Sequence, residues 1–296
     1  PRVLAGLREQ GLRLTDLELP ERHLPAASLQ LAETPPPQAA LVLLCAKSTA
    51  TAGAAAQLAA LPAGTPVLSL QNGVDNAAVG ARAAPALRWL PGMVPFNIAE
   101  LGPGHFHRGT AGVLAAQDDP ALRAWQPVFA AAGLPLLLHA DLAPVQWGKL
   151  LLNLNNPVNA LSGLPLRAQL LDHDLRCAFA ALQSEALAVL AAAGIRPARV
   201  SPLPPALMPH VLRLPNWAFE RLAARLLRID AKARSSMADD LALGRPTEID
   251  ALSGAIVRLA RQHGREAPRN TKMVELLSAP KPPRLSGREL RALLRA

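Results

Sequence analysis

Residues 39–73 read AALVLLCAKSTATAGAAAQLAALPAGTPVLSLQNG. Two apolar runs, 39–46 and 66–71, flank an alanine- and leucine-rich stretch at 48–61. Neither run alternates apolar with polar residues, so each suits a strand covered on both faces, as in a parallel sheet. The stretch between them is compatible with a helix, making a strand–helix–strand unit. Lys47 closes the first strand and Asn72-Gly73 follows the second. In open α/β sheets ligands gather at this carboxyl end. Taken singly, the lysine is an ordinary strand-end charge and Asn-Gly an ordinary turn.

Outward from this unit, residues 12–19 and 27–33 have short strand character, after an opening segment (PRVLAGLREQG) that reads as a helix. Residues 89–117 read as two strands around a Gly102-Pro103-Gly104 turn, followed by a helix at 119–132 and a strand at 134–139. From about residue 141 the pattern becomes helical only. Segments 144–156, 166–195, 204–213, 215–243, 248–263 and 271–278 carry helical spacing or caps, separated by Gly and Pro. The expected architecture is an α/β domain over 1–140 and an all-α domain over 141–296. A ligand cleft is expected between the two.

The composition is consistent with two domains. The chain has 296 residues, half of them apolar, with 3% aromatics and no tyrosine, so Leu, Ala and Val must build the core. The net charge of +9 rests mainly on arginine. Nowhere do basic and stacking aromatic residues alternate, so a solvated basic surface is preferred to nucleic-acid binding. The basic tail from Lys281 reads as a surface helix with a frayed end. With only Cys45 and Cys177, and neither in a CxxC pair, no disulfide framework or zinc site is expected. His105 and His107 lack a third ligand at metal spacing and read as surface residues. No apolar run approaches the roughly 18–20 residues of a membrane span, and no secretion signal opens the chain. A soluble, cytoplasmic protein is expected, with no metal, membrane or nucleic-acid partner.

Two segments could carry chemistry. In WGKLLLNLNNPVNAL (147–161), Lys149, Asn153 and Asn156 stand at i, i+4 and i+7, one face of a helix whose opposite arc is leucine. A cation and two amides are costly to bury without partners, and a ligand with a carbonyl and a hydroxyl would partner them. The competing reading is a stripe that faces water. Pro157 should end or kink this helix. In RSSMADDLALGRPTEIDALSGAIV (234–257), Gly244-Arg245-Pro246 breaks a helix, and Thr247 with Asp250 forms a capping box for the next. Glu248 falls in that helix's first turn, where the dipole favours its ionised form. Ser235 and Ser236 lie upstream of the break, and serines in mid-helix ordinarily bond to their own backbone.

Together LVLLCAKSTATAGAAAQL, LSLQNGVDN, the WGKL block, the SSM…TEID block and the closing AGI and HG…P helices resemble the ketopantoate reductase (2-dehydropantoate 2-reductase) family. The resemblance covers nearly the whole chain and implies a Rossmann-like N-terminal domain, lacking its first strand and glycine loop, an all-α C-terminal domain, and reduction of ketopantoate to pantoate, with NADPH as cofactor, for coenzyme A synthesis. It implies that Lys149 polarises the ketone and donates the proton. It assigns Asn153 and Glu248 to holding substrate and lysine, Ser236 to a substrate contact, and Lys47 and Asn72 to the cofactor. The family's second helix asparagine falls where this chain has Pro157, so Asn156, one residue earlier, is the candidate. No GxGxxG occurs in the 296 residues. The resemblance places that loop in roughly 30 residues ahead of Pro1, so the chain reads as truncated, with Arg2 a candidate for a cofactor phosphate. Two other readings remain: a reductase of a related 2-keto acid, and an inactive remnant serving as a binding or dimerisation module. The long apolar helices of the second half suggest a homodimer.

Overall fold

In a computed structural model, residues 2–17, 19–223 and 233–295 are described. The chain forms two compact units. One comprises 1–46, 50–71 and 76–142; the other takes 143–296 together with two short loops, 47–49 and 72–75.

The first unit is α/β. Its strands are β1 (Leu12–Asp16), β2 (Arg22–Leu24), β3 (Val42–Leu44), β4 (Pro66–Ser69), β5 (Arg88–Met93), β6 (Ile98–Gly102), β7 (His105–Arg108), β8 (Leu114–Gln117) and β9 (Leu136–His139). A five-stranded sheet has the order β3-β4-β5-β8-β9. β3, β4 and β5 run parallel, as the apolar runs predict, while β8 joins β5 antiparallel. Burial on both faces holds for β4, whose Val67 and Leu68 are wholly buried. In β3, Leu44 is buried and Leu43 half exposed. The helical stretch between them forms as Thr51–Leu58 after a 3-10 turn.

The strand expected at 27–33 is absent; Ala26–Ser28 is a 3-10 turn, in a stretch that Pro25 and Pro35–Pro37 keep from pairing. β1 leaves the main sheet for a second one, ordered β2-β1-β7-β6. Residues 88–117 hold four strands rather than two. The turn at 102–104 does close a hairpin, β6 to β7. Gly104 there has φ +70°, and a Cβ would stand 2.3 Å from the Gly11 carbonyl oxygen, so only glycine fits. His105 and His107 are not free surface histidines. Both rings meet the Thr15 hydroxyl across the β1–β7 pairing, at 3.0 and 2.9 Å, and both are half-buried.

The second unit is helical, and its core is organised around the helix His173–Ala192. By length and mean hydropathy (1.4 over 18 residues) this helix is apolar enough to cross a membrane, contrary to the reading of the sequence. Its burial is that of a core helix. It also carries Arg176, Gln183 and Glu185, which hydrogen-bond within the unit. Glu185 satisfies the first backbone N–H groups of the helix Pro268–Ser278 by accepting from Arg269 and Asn270. The basic tail also corrects expectation. Ser286 and Glu289 form a capping box for Gly287–Leu293, and Leu290 and Leu294 are buried in the core. The segment 215–243 gives Asn216–Ala223 and Ser236–Ala242; its middle, 224–232, lies outside the described residues.

Arg176 is fully buried. Its guanidinium donates to the carbonyls of Leu170, Leu212 and Leu214 and to Asn216 Oδ1, and stacks 4.2 Å from the Phe219 ring centroid. One side chain thus satisfies a loop that the helices cannot. Arg176→Ala would remove the donor to the buried Leu212 carbonyl and to three partly buried acceptors, and we expect a loss of about 3–5 kcal/mol by urea unfolding. A stability within about 0.5 kcal/mol of the parent would show the acceptors to be solvated.

Candidate active site

The helix Ala143–Asn153 carries Lys149. Trp147, Leu150 and Leu151 face the core, which leaves Lys149 half-buried on the adjoining arc. The helix ends where Pro157 lacks the N–H that would bond the Asn153 carbonyl, and a new helix, Asn155–Ser162, follows. Gly148 lets a neighbouring loop approach: a Cβ there would stand 2.3 Å from the Ala198 carbonyl oxygen. Gly148→Ala should therefore displace the helix or the loop. We expect about 1–3 kcal/mol lost on unfolding, together with weakened activity if Lys149 is the acid. An unchanged melting temperature would show that the loop yields freely.

Around Lys149 the second unit gathers a continuous polar chain. Lys149 Nζ donates to Asn72 Oδ1 at 2.8 Å, and Asn72 Nδ2 donates to Glu248 Oε2 at 3.2 Å. With a cation on one side and a carboxylate on the other, only this amide orientation satisfies both ends. Glu248 Oε1 accepts from the Ser48 backbone N–H at 2.8 Å. Lys47 Nζ lies 2.7 Å from Asp240 Oδ2 and 3.9 Å from Glu248 Oε2. Both carboxylates are buried. Burial pulls the Lys149 ammonium down to about 8, and the negative charge of Glu248 partly opposes that fall.

Glu248 is the N-cap of Ile249–Gln262, but its side chain does not cap the helix; it turns to Ser48 and Asn72. The Thr247–Asp250 capping box is not formed, because the Asp250 carboxylate is taken by Arg258. The Gly244 break is as expected, with Gly244 at φ +62° closing Ser236–Ala242. The serines begin that helix rather than sit within it. Ser235 is its N-cap, bonded to Ala238 N–H, and Ser236 is exposed in the first turn.

The structure therefore brings together Lys149, Asn72, Glu248 and Lys47. Asn153 is half-buried one turn beyond Lys149. Asn156 is half-buried too, and its backbone carbonyl accepts from Ser235 Oγ at 3.4 Å. Among the described residues, no side-chain hydrogen bond joins Asn153, Asn156 or Ser236 to the Lys149 chain. Arg2 forks onto Glu100, so its guanidinium is engaged within the first unit. Asp240 and Ser48 escaped the sequence reading. Asp240 stands four residues after Ser236, on the same helical face, and that spacing was the available signal. A backbone donor such as Ser48 leaves none.

The family model described as "Ketopantoate reductase PanE/ApbA" matches residues 1–119, and "Ketopantoate reductase PanE/ApbA C terminal" matches 141–281. A 2-dehydropantoate 2-reductase of Halobacterium salinarum is 30% identical over 88% of this chain and 82% of its own length. A crystal structure of a PanE/ApbA family ketopantoate reductase from Ralstonia eutropha JMP134 superposes with a TM-score of 0.77 at 29% identity, covering 95% of this chain and 88% of that one. A D-mandelate dehydrogenase, solved with NADH and anilino(oxo)acetate, shares the fold alone (TM-score 0.75, 19% identity, 95% and 88% covered). On the two family matches and the Halobacterium relative, the chain belongs to the ketopantoate reductase family.

Proposed function

We propose that the protein reduces ketopantoate to pantoate with NADPH, and that Lys149 is the proton donor. The observation that carries this reading is the lysine itself. It is partly buried, held by an amide that is in turn held by a buried carboxylate, with its ammonium drawn down to about 8. A general acid works best when its pKa lies near the operating pH.

Asn72 and Lys47 suit a nicotinamide cofactor by their donor chemistry. They follow β4 and β3 on the carboxyl side, where nucleotides lie in open α/β sheets. When bound, such a cofactor would supply a hydride for the ketone carbon. Lys149 directs an N–H at the ketone oxygen, draws electron density toward it, and yields the proton as the oxygen becomes a hydroxyl. Asn72 holds the ammonium from one side, and Glu248 keeps it charged and holds Asn72. Asn153, Asn156 and Ser236 are the positions we assign to the substrate's other polar groups.

The test is NADPH oxidation by the full-length protein, followed at 340 nm with ketopantoate and with other 2-keto acids. We expect the highest kcat/KM with ketopantoate. A higher value with another 2-keto acid would make the protein a reductase of that acid, and no turnover with any would remove the reading. Because the proton must be on Lys149, kcat should be level below pH 8 and fall as pH rises through about 8.

A further inference from the structure

Asn72 is only as well placed as the loop that carries it, residues 72–75, which packs with the helical unit. One end of the loop is fixed by Asn72 on Glu248. The other end is fixed by Asp75, whose Oδ2 accepts from Arg258 Nε at 3.2 Å and Nη2 at 2.8 Å. The same guanidinium gives Nη1 to both Asp250 carboxylate oxygens at 2.9 Å, and Nη2 also reaches the Asp250 carbonyl at 3.0 Å. Asp250 and Arg258 lie on Ile249–Gln262, the helix that begins at Glu248. Thus one helix grips both ends of the loop.

Between Asp250 and Arg258, four residues from each, stands Gly254. A buried glycine in mid-helix costs about 1 kcal/mol relative to alanine, so its presence asks for a reason. A Cβ at that position would stand 2.4 Å from Asp250 Oδ1 and 3.2 Å from Arg258 Nη1. The missing side chain is the space through which arginine reaches back over two turns to aspartate.

We propose that Arg258, oriented by Asp250 across Gly254 and bonded to Asp75, is the positioning residue that holds Asn72 between Lys149 and Glu248. The inference rests on the reading of Lys149 as the acid. An exposed ion pair alone would contribute little to stability, and stability is not the property at stake. The groups that bear on Lys149 are Asn72 and Glu248, with Lys47 and Asp240 beyond the carboxylate. Releasing the loop lets water reach the ammonium, and the burial that depresses it is relieved.

The experiment compares Arg258→Ala, Asp75→Ala, the double variant and Gly254→Ala, with Arg258→Lys as the conservative control. The first readout is the pH midpoint of Lys149 labelling by trace acetic anhydride, read by mass spectrometry, which needs no turnover. The second is kcat and KM with ketopantoate and NADPH. We expect the midpoint to rise from about 8 toward the ordinary lysine value of 10.5. We expect kcat to fall on the order of 10–100-fold with a smaller change in KM, and the double variant to lose no more than either single one. Gly254→Ala should show the same losses while unfolding no earlier than the parent, because alanine favours the helix and only flexible side-chain ends must move. Arg258→Lys should recover part of the midpoint and part of kcat. Gly254→Ala and Asp75→Ala keep the test alive if Arg258→Ala fails to fold. Wild-type midpoints and kcat in these variants would overturn the proposal, as would additive losses in the double variant. If the midpoints move but the parent reduces no keto acid, the clamp stands and the function falls.

Discussion

Lys149→Ala is expected to lower kcat for ketopantoate reduction by about 10²–10⁴-fold, the range over which a positioned general acid acts, with a much smaller change in cofactor affinity. In the chain Lys149–Asn72–Glu248–Lys47, Lys149 is the group whose ammonium burial draws down to about 8, and the proposed mechanism takes the proton from it. Lys47 is the one other cation of that chain, and it is bound to Asp240. Lys149→Arg sharpens the test. Its guanidinium retains charge and hydrogen bonds but does not give up a proton in this pH range. Substrate binding should survive better than in the alanine variant while kcat stays low. Steady-state kinetics on the two variants checks both statements.

The second large effect is expected at Glu248. Its carboxylate is buried, accepts from Ser48 N–H and Asn72 Nδ2, and lies 3.9 Å from Lys47. Glu248→Ala removes the carboxylate from those contacts, and with it the negative charge that holds the Lys149 ammonium up against burial. With the loop still held by Arg258 at Asp75, the Lys149 pKa is expected to fall below about 8, so the decline of kcat begins at lower pH than in the parent. We expect about 10²-fold lost at pH 8 and less at pH 6. Glu248→Gln keeps the shape and should show the same shift of the pH limb with a milder loss. A limb that moves upward, or stays in place, would contradict the electrostatic role.

Much of this was legible in the residues because it rests on local periodicity. The runs at 39–46 and 66–71 announced parallel strands, and Lys149's place on a leucine-rich helix followed from spacing. What failed was decided by tertiary contact. Strand β1 pairs with β7, ninety residues on, and no local pattern records that choice. In His173–Ala192 the charges of Arg176 and Glu185 interrupt the apolar run, and the buried partners that take them up meet the helix only in three dimensions. At the site, the side chains on one helix face could be foreseen. The Asp240–Lys47 pair and the Asp75–Arg258–Asp250 clamp join residues up to 193 apart, and sequence spacing says nothing of such meetings.

The central claim, that Lys149 delivers the proton in a keto acid reduction, is tested most directly by the pH profile of kcat for the parent and Lys149→Ala side by side. The account predicts a parent profile that falls through about pH 8, and a residual rate in the variant that lacks this limb. A parent profile flat from pH 6 to 10, or the same limb retained without Lys149, would contradict it.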